Sequence, residues 1–292
     1  MNLYRITSVF SIISIICFTE SYLMFLKSKY FNRFTNNKES RIFKAFFSMK
    51  TPTEETDFEL LDVSYDPSES NESKFIRTKF RQHVNPLAST YQQPIILEDN
   101  WLHKNFLNPN NSFTIDIGCS KGSWALNMSE ILPSNNFLGL EIRRGVVDFA
   151  NHRKLQRNLK NVHFISTNVN VNIDKILKDI NLISNVDLVC IQFPDPHFKK
   201  RHKKRRVVDE KLVDTLSVLL PSGCKIFLQS DVFPVIEDMV KSFSDHIDFS
   251  PCENYLVDSL GTNISPFHCQ TEREISTLRR NLPVYRMLFM KK

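Results

Sequence analysis

The feature that most constrains the fold is an alternation, from Phe113 onward, between short apolar runs and segments with helical periodicity. The apolar runs predict strands at residues 113–118, 137–141, 162–166, 186–193 and 225–229. The periodic segments predict helices at residues 124–132, 144–158, 173–180, 209–220 and 235–243. This alternation is typical of an α/β fold with a doubly wound parallel sheet. Because ligands of such sheets bind beyond the carboxyl ends of the strands, the residues that follow each strand are the candidate functional residues.

The first fifty residues differ in character from the rest of the chain. They contain eight basic and two acidic residues, and residues 9–18 form an apolar run of signal-peptide length. A basic segment with one acidic residue follows at residues 27–50. This order resembles the bipartite leaders of proteins sent to plastids bounded by extra membranes, and predicts a plastid, apicoplast-like location. An uncleaved membrane anchor and a cytoplasmic protein remain alternatives.

A linker is predicted between this leader and the folded domain. Residues 51–73 carry eight acidic residues and no Lys or Arg, a composition that favours disorder. The folded domain is expected at residues 74–292. With the leader set aside, the chain has 30 basic and 30 acidic residues, so any attraction to a polyanion must come from a local patch. The six cysteines are far apart without a C-x-x-C pair, which predicts buried reduced thiols and no metal site.

The turns after the first three predicted strands suggest a nucleoside cofactor. Residues 116–122 (DIGCSKG) contain a G-x-x-x-G spacing, which differs from the G-x-G-x-x-G of pyrophosphate-binding turns. Glu141 ends the second strand, where a carboxylate can accept hydrogen bonds from ribose hydroxyls. Asn168 follows the third strand and is a candidate for binding the adenine edge. Together these features favour S-adenosylmethionine, although a surface role for Glu141 is the alternative.

The fourth predicted strand ends in a second candidate site. In residues 193–198 (FPDPHF), two prolines flank Asp195 and restrict the backbone on either side of its carboxylate. Residues 199–206 (KKRHKKRR) follow directly and include seven basic residues. A nuclear import signal or a solvated loop would have this composition. Its position beside Asp195 favours a loop that binds nucleic-acid phosphates.

These residues together resemble the tRNA (guanine-N7-)-methyltransferase family, from about residue 113 to the C-terminus. Residues 193–206 are the most specific part. Residues 81–89 (RQHVNPLAS) and 227–232 (FLQSDV) point to its plastid and cyanobacterial branch. The resemblance implies a class I, Rossmann-like methyltransferase whose mostly parallel sheet has an antiparallel last strand, at residues 285–290. It also implies methyl transfer from S-adenosylmethionine to N7 of a guanine in the variable loop of tRNA, with no metal and no stable membrane contact after the leader is removed.

The resemblance assigns roles position by position. The cofactor positions are Asp116, Gly118, Glu141 and Asn168. The catalytic position is Asp195, and the substrate-binding positions are Lys199, Asp231, Thr271 and Glu274. Three departures stand out: Asn168 where an Asp is usual, Ser120 where a glycine is often found, and no glycine after Glu274.

Other interpretations remain open on the residues alone. Asp231 could instead cap the helix that follows it. The chain could be an S-adenosylmethionine-dependent methyltransferase for another substrate, with the basic run serving only as a targeting signal. It could also be an RNA-binding scaffold that has lost cofactor binding.

Overall fold

A computed structural model describes residues 83–252, 267 and 269–292. The predicted leader at residues 1–50, the predicted linker at residues 51–73 and the first residues of the expected domain, 74–82, lie outside the described residues.

The described part of the chain is built around a seven-stranded sheet in the order β3-β2-β1-β4-β5-β7-β6. The strands are β1 Phe113–Ile117, β2 Asn136–Glu141, β3 Val162–Ser166, β4 Val186–Gln192, β5 Lys225–Ser230, β6 Phe249–Pro251 and β7 Tyr285–Lys291. Strands β1 to β5 run parallel, and β7 lies antiparallel between β5 and β6. The predicted fold class is therefore confirmed, including the antiparallel last strand.

Helices connect the parallel strands and cover the sheet. They are α1 Trp101–Asn105, α2 Ser123–Ile131, α3 Arg144–Gln156, α4 Val169–Asn181, α5 Glu210–Leu219, α6 Phe233–Asp245 and α7 Glu272–Arg279. The main difference from the prediction is α4, which begins four residues before the expected residue 173. Asn168 explains this early start, because its side chain accepts a hydrogen bond from the backbone N–H of Asn170 and so caps the helix.

Two apolar layers, one on each face of the sheet, form the core. Ile115 and Ile117 of β1 belong to the layer that includes Leu216 of α5. Phe137 of β2 belongs to the other layer, with Trp124 of α2. Burial on both faces explains why the strands read as nearly continuous apolar runs.

The described cysteines form no disulfide. Cys119, Cys190 and Cys224 are buried, and burial raises the pKa of each thiol. Within residues 83–252 and 269–292, no cluster of three or more metal-ligating side chains occurs. No helix in these ranges combines the length and apolar character of a bilayer span.

Candidate active site

The candidate site lies at one edge of the sheet, where the carboxyl ends of β1 to β5 meet; we call it the carboxyl edge. The parallel register aligns Ile117 with both Leu140 and Ile191, and aligns Gln192 with Gln229. The loops that follow these strands therefore emerge side by side. They carry the residues that the sequence singles out at the strand ends.

The turn after β1 depends on backbone conformations that favour glycine. Gly118 and Gly122 have φ values of 79° and 72°. A Cβ on Gly122 would lie 2.5 Å from the ring of Phe164, whereas a Cβ on Gly118 would meet nothing within 4 Å. Gly122 is thus required by packing, whereas Gly118 borders open space. Ser120 also has a positive φ, 49°, which costs a non-glycine residue about 1 kcal/mol.

A carboxylate is buried directly behind this turn. Asp116 is 4% exposed, and burial raises its pKa to about 7, with the charge of Glu141 acting in the same direction. The Nε2 of Gln192 donates a hydrogen bond to its Oδ1 at 3.4 Å and partly offsets the effect. Two buried acidic groups at the ends of the neighbouring strands β1 and β2 favour a ligand that is cationic or rich in hydrogen-bond donors.

The second buried acid, Glu141, is held by Arg143. The sequence alone does not predict this role for the arginine. Arg143 donates its backbone N–H and Nε to Oε1 at 3.1 Å each, and a terminal nitrogen to Oε2 at 3.0 Å. This contact fixes the carboxylate at the end of β2, where it is 6% exposed. A carboxylate has about four lone-pair sites, so Oε2 retains acceptor capacity for a hydroxyl group.

Asn168 ties the carboxyl edge to the segment that precedes the sheet. Besides capping α4, its Nδ2 donates to the carbonyl of Pro86 at 3.1 Å. Asn172, one turn later, accepts from the backbone N–H of Ile95 at 2.9 Å and donates to the carbonyl of Gln93 at 3.2 Å. We call residues 83–97 the N-terminal strap. Both polar atoms of Asn168 are engaged in these contacts, and its role toward adenine stays a prediction.

The turn that carries Asp195 is held in a constrained conformation. Phe193 and His197 have φ values of 48° and 45°, and the N–H of Phe193 donates to the carbonyl of Gln229 at 2.7 Å. The Asp195 side chain is 43% exposed, and its Oδ1 lies 2.9 Å from Nδ1 of His83 in the strap. The carboxylate is therefore accessible to a large substrate.

The basic segment, residues 199–206, starts beside Asp195 and contains the short 3-10 helix Lys200–Arg205. Its last residue, Arg206, is 14% exposed; its Nε donates to the carbonyl of Pro196 at 2.8 Å, and it forms an ion pair with Asp238 of α6. Lys203 contacts the same aspartate at 2.9 Å. The donors of Arg206 thus hold the loop closed, and the binding of phosphates by this run stays a prediction.

Among the side chains of the basic segment that the structure describes, the exposed cations besides Lys203 are Lys199, Arg201 and Lys204. They lie on the loop that Arg206 fastens to Pro196, the residue next to Asp195. The structure thus brings the candidate catalytic residue and exposed positive charge to the same part of the carboxyl edge.

Asp231 follows β5 and contacts α7. Its Oδ2 accepts hydrogen bonds from Arg273 at 2.9 Å and from Thr277 at 3.3 Å. The alternative that Asp231 caps the next helix is wrong, because the N-cap residue of α6 is Val232 and has no side-chain cap. Its role toward substrate stays a prediction.

The predicted T-x-x-E element forms the start of α7. Thr271 is the N-cap, and its Oγ1 accepts from the backbone N–H of Glu274 at 3.1 Å. Glu274 is 0% exposed and pairs with Arg286 of β7 at 2.6 Å, while Gln229 of β5 donates to its other oxygen at 3.1 Å. These contacts anchor α7 to the sheet, and a contact of Thr271 or Glu274 with substrate stays a prediction.

Comparison with known proteins gives consistent results. A family model described as "Putative methyltransferase" matches residues 110–287. A tRNA (guanine-N(7)-)-methyltransferase of Thermosynechococcus vestitus is 45% identical over 212 residues, which cover 72% of this chain and 94% of the relative. The protein of the same name from Synechococcus elongatus is 39% identical and covers 74% of this chain and 97% of its own length.

Among solved structures, a SAM-dependent O-methyltransferase of Thermotoga maritima aligns with a TM-score of 0.41 at 13% identity, over 68% of this chain and 67% of that one. This likeness is too weak to inform function. The family model spans the Asp195 turn and the basic segment, and the curated relatives are matched over nearly their whole length. The chain therefore belongs to the tRNA (guanine-N7)-methyltransferase family.

Proposed function

We propose that this chain transfers the methyl group of S-adenosylmethionine to N7 of a guanine in tRNA. The observation that carries the proposal is the arrangement of the carboxyl edge. Two buried carboxylates lie at the ends of β1 and β2, Asp195 lies at the end of β4, and a loop with exposed cations is fastened beside Asp195. The names of the curated relatives support the same substrate.

The residues at the turn after β1 fit this cofactor. Gly118 leaves open space at the turn, and the buried carboxylates of Asp116 and Glu141 suit a ligand that carries ribose hydroxyls and positive charge. When bound, S-adenosylmethionine supplies an electrophilic methyl group on a sulfonium. The cofactor would be held by Asp116, Gly118, Glu141 and Asn168.

The chemistry at guanine N7 requires alignment more than proton transfer. N7 carries an in-plane lone pair and no proton at neutral pH, so no general base has to act on it. Holding two reactants in line contributes a large part of the rate of such reactions. We therefore assign Asp195 the role of accepting hydrogen bonds from the guanine and orienting its ring, and its exposed carboxylate suits that role.

The RNA must present its guanine in an accessible form. The major groove of A-form RNA is too deep and narrow for side chains to reach N7, so the base has to lie in a loop or be drawn out of its stack. Lys199, Arg201 and Lys204 are exposed cations that could contact the neighbouring phosphates. The family resemblance suggests a guanine of the variable loop.

The direct test is nucleoside mass spectrometry of unmodified tRNA incubated with the full chain and isotopically labelled S-adenosylmethionine. We expect the label in 7-methylguanosine, and cleavage of the RNA at that nucleoside would locate it. Label in another nucleoside, or none in RNA, would contradict the proposal.

We also propose that residues 1–50 direct the protein to a plastid, on the strength of their apolar and basic halves. N-terminal sequencing of the mature protein from cells tests this. A start well beyond residue 18 is expected, whereas a start at Met1 would oppose the proposal.

A further inference from the structure

The carboxylate of Asp195 has a partner from a distant part of the chain. His83, in the N-terminal strap, places its Nδ1 2.9 Å from Asp195 Oδ1. The strap precedes every strand of the sheet, so the contact is not a by-product of the local turn. None of the roles assigned above uses this histidine.

The strap is fastened independently of this contact. The amide of Asn168 holds the carbonyl of Pro86, and Asn172 holds the backbone at Gln93 and Ile95. Both asparagines belong to the start of α4, on the cofactor side of the carboxyl edge. The strap therefore runs from the cofactor side to the substrate side, and its anchors fix where His83 lies.

A second imidazole near Asp195 is less suited to hold the carboxylate. Burial, above all, lowers the pKa of His197, and the nearby cation Arg205 and two histidines lower it further, against an opposite effect of Asp195. Two prolines and the hydrogen bond of the Phe193 N–H constrain the backbone of the Asp195 turn, but an aspartate side chain still rotates about two bonds. One contact on Oδ1 would select a single rotamer and leave Oδ2 for the base.

We propose that His83 is a positioning residue for Asp195, holding one carboxylate oxygen so that the other faces the guanine. This inference rests on the proposed methyl transfer to tRNA. It extends that activity by assigning part of the orientation step to the strap, which also contacts the cofactor side of the site.

The test uses the full chain with tRNA and S-adenosylmethionine. We expect His83→Ala to lower kcat about tenfold, the effect of losing one hydrogen bond to a charged group, with KM for tRNA changed less than about twofold. His83→Asn should restore most of kcat, because its amide nitrogen occupies the place of Nδ1. His83→Gln places the amide one bond farther out and should not restore it. His103→Ala, on an exposed histidine of α1, is the matched control and should leave kcat unchanged.

The outcomes separate this inference from the proposed function. Absence of 7-methylguanosine with the unchanged protein would contradict the function itself. An active protein in which His83→Ala keeps its kcat, or in which His83→Asn is as impaired as His83→Ala, would overturn only the role of His83. A higher KM with kcat unchanged would also overturn it, because His83 would then be an RNA contact. Should His83→Ala fail to fold, the comparison of His83→Asn with His83→Gln decides the question by the same criterion.

Discussion

At the scale of single residues, the turn around Asp195 stores backbone strain at the site of the proposed chemistry. Phe193 and His197 both adopt left-handed conformations, each costing a non-glycine residue about 1–2 kcal/mol. Surrounding contacts offset that cost: Gln229 accepts from the Phe193 N–H, and Arg206 donates to the carbonyl of Pro196. The carboxylate between them is thus presented at a defined position while remaining exposed.

Replacing Asp195 should separate methyl transfer from cofactor binding. We expect Asp195→Ala to slow single-turnover methyl transfer at least about a hundredfold, because alignment of the base is lost. The Kd for S-adenosylmethionine, measured by calorimetry, should change less than about twofold, because the buried acids at the β1 turn are untouched.

Two further variants sharpen the Asp195 measurement. Asp195→Asn retains one acceptor oxygen, so an orienting role predicts more activity for it than for Asp195→Ala. Asp187→Ala, at the opposite end of β4 and exposed, is the control and should be silent. Near-normal turnover of Asp195→Ala would remove this residue from the mechanism.

At the scale of elements, the cations of the basic segment fall into two groups, and we expect each group to have its own function. Arg206 is largely buried and joins the end of the loop to its beginning at Pro196 and to Asp238 on α6. The loop that Arg206 closes carries exposed cations at Lys199, Arg201 and Lys204. A loop fastened at its base loses less conformational entropy when it binds RNA than a free one.

The salt dependence of tRNA binding should distinguish these functions. Replacing Lys199, Arg201 and Lys204 together by Ala should flatten the slope of log affinity against log salt by about 2–3, from roughly 0.7–0.9 per phosphate contact. Arg206→Ala should leave the slope unchanged but lower Tm and kcat, because the loop loses its fastening. Asp238→Ala serves as the matched variant and should behave like Arg206→Ala. An unchanged slope in the triple variant would favour a basic segment that acts only in targeting.

The elements also show what can be predicted from sequence. The pattern places the five parallel strands to within about one residue at each end, because turn-forming or polar residues bound each apolar run. It does not predict the three-residue β6 or the five-residue α1, since such short segments carry no periodicity. The candidate site residues at strand ends are predictable because parallel strands end at one edge.

The features of the site that the sequence does not predict depend on contacts between distant segments. Nothing in the run at residues 199–206 distinguishes Arg206 from its neighbours, because its partner Asp238 lies on the next helix but one. The contact of His83 with Asp195 likewise depends on how the strap crosses the edge. Composition and periodicity report local structure, and neither reports which cation meets which carboxylate.

At the scale of the whole molecule, burial of the Asp116 carboxylate opposes the stability of the fold. The pKa of Asp116 is raised to about 7 by burial, from an ordinary value near 3.8. An unfolded chain therefore releases this proton near pH 4, whereas the folded chain keeps it until about pH 7. Stability contributed by this group falls as pH rises through that interval and stays low above it. The ionised carboxylate of Asp116 is suited to a cationic ligand, but without that ligand it lowers the free energy of unfolding.

Asp116→Asn should raise the melting temperature and weaken the binding of S-adenosylmethionine, both in a pH-dependent way. The amide keeps an acceptor for Gln192 but has no charge to bury, so we expect the variant to melt at least about 3 °C above the unchanged protein at pH 8, with the difference vanishing toward pH 4. At pH 8 its Kd for S-adenosylmethionine should rise at least about tenfold, because the ionised carboxylate no longer meets the cationic cofactor. Thermal melts and calorimetry across pH 4–8 measure both effects, and Asp187→Asn, an exposed aspartate, controls for loss of charge alone. A variant less stable than the unchanged protein at pH 8 would mean that the carboxylate stabilises the empty fold, contrary to this account.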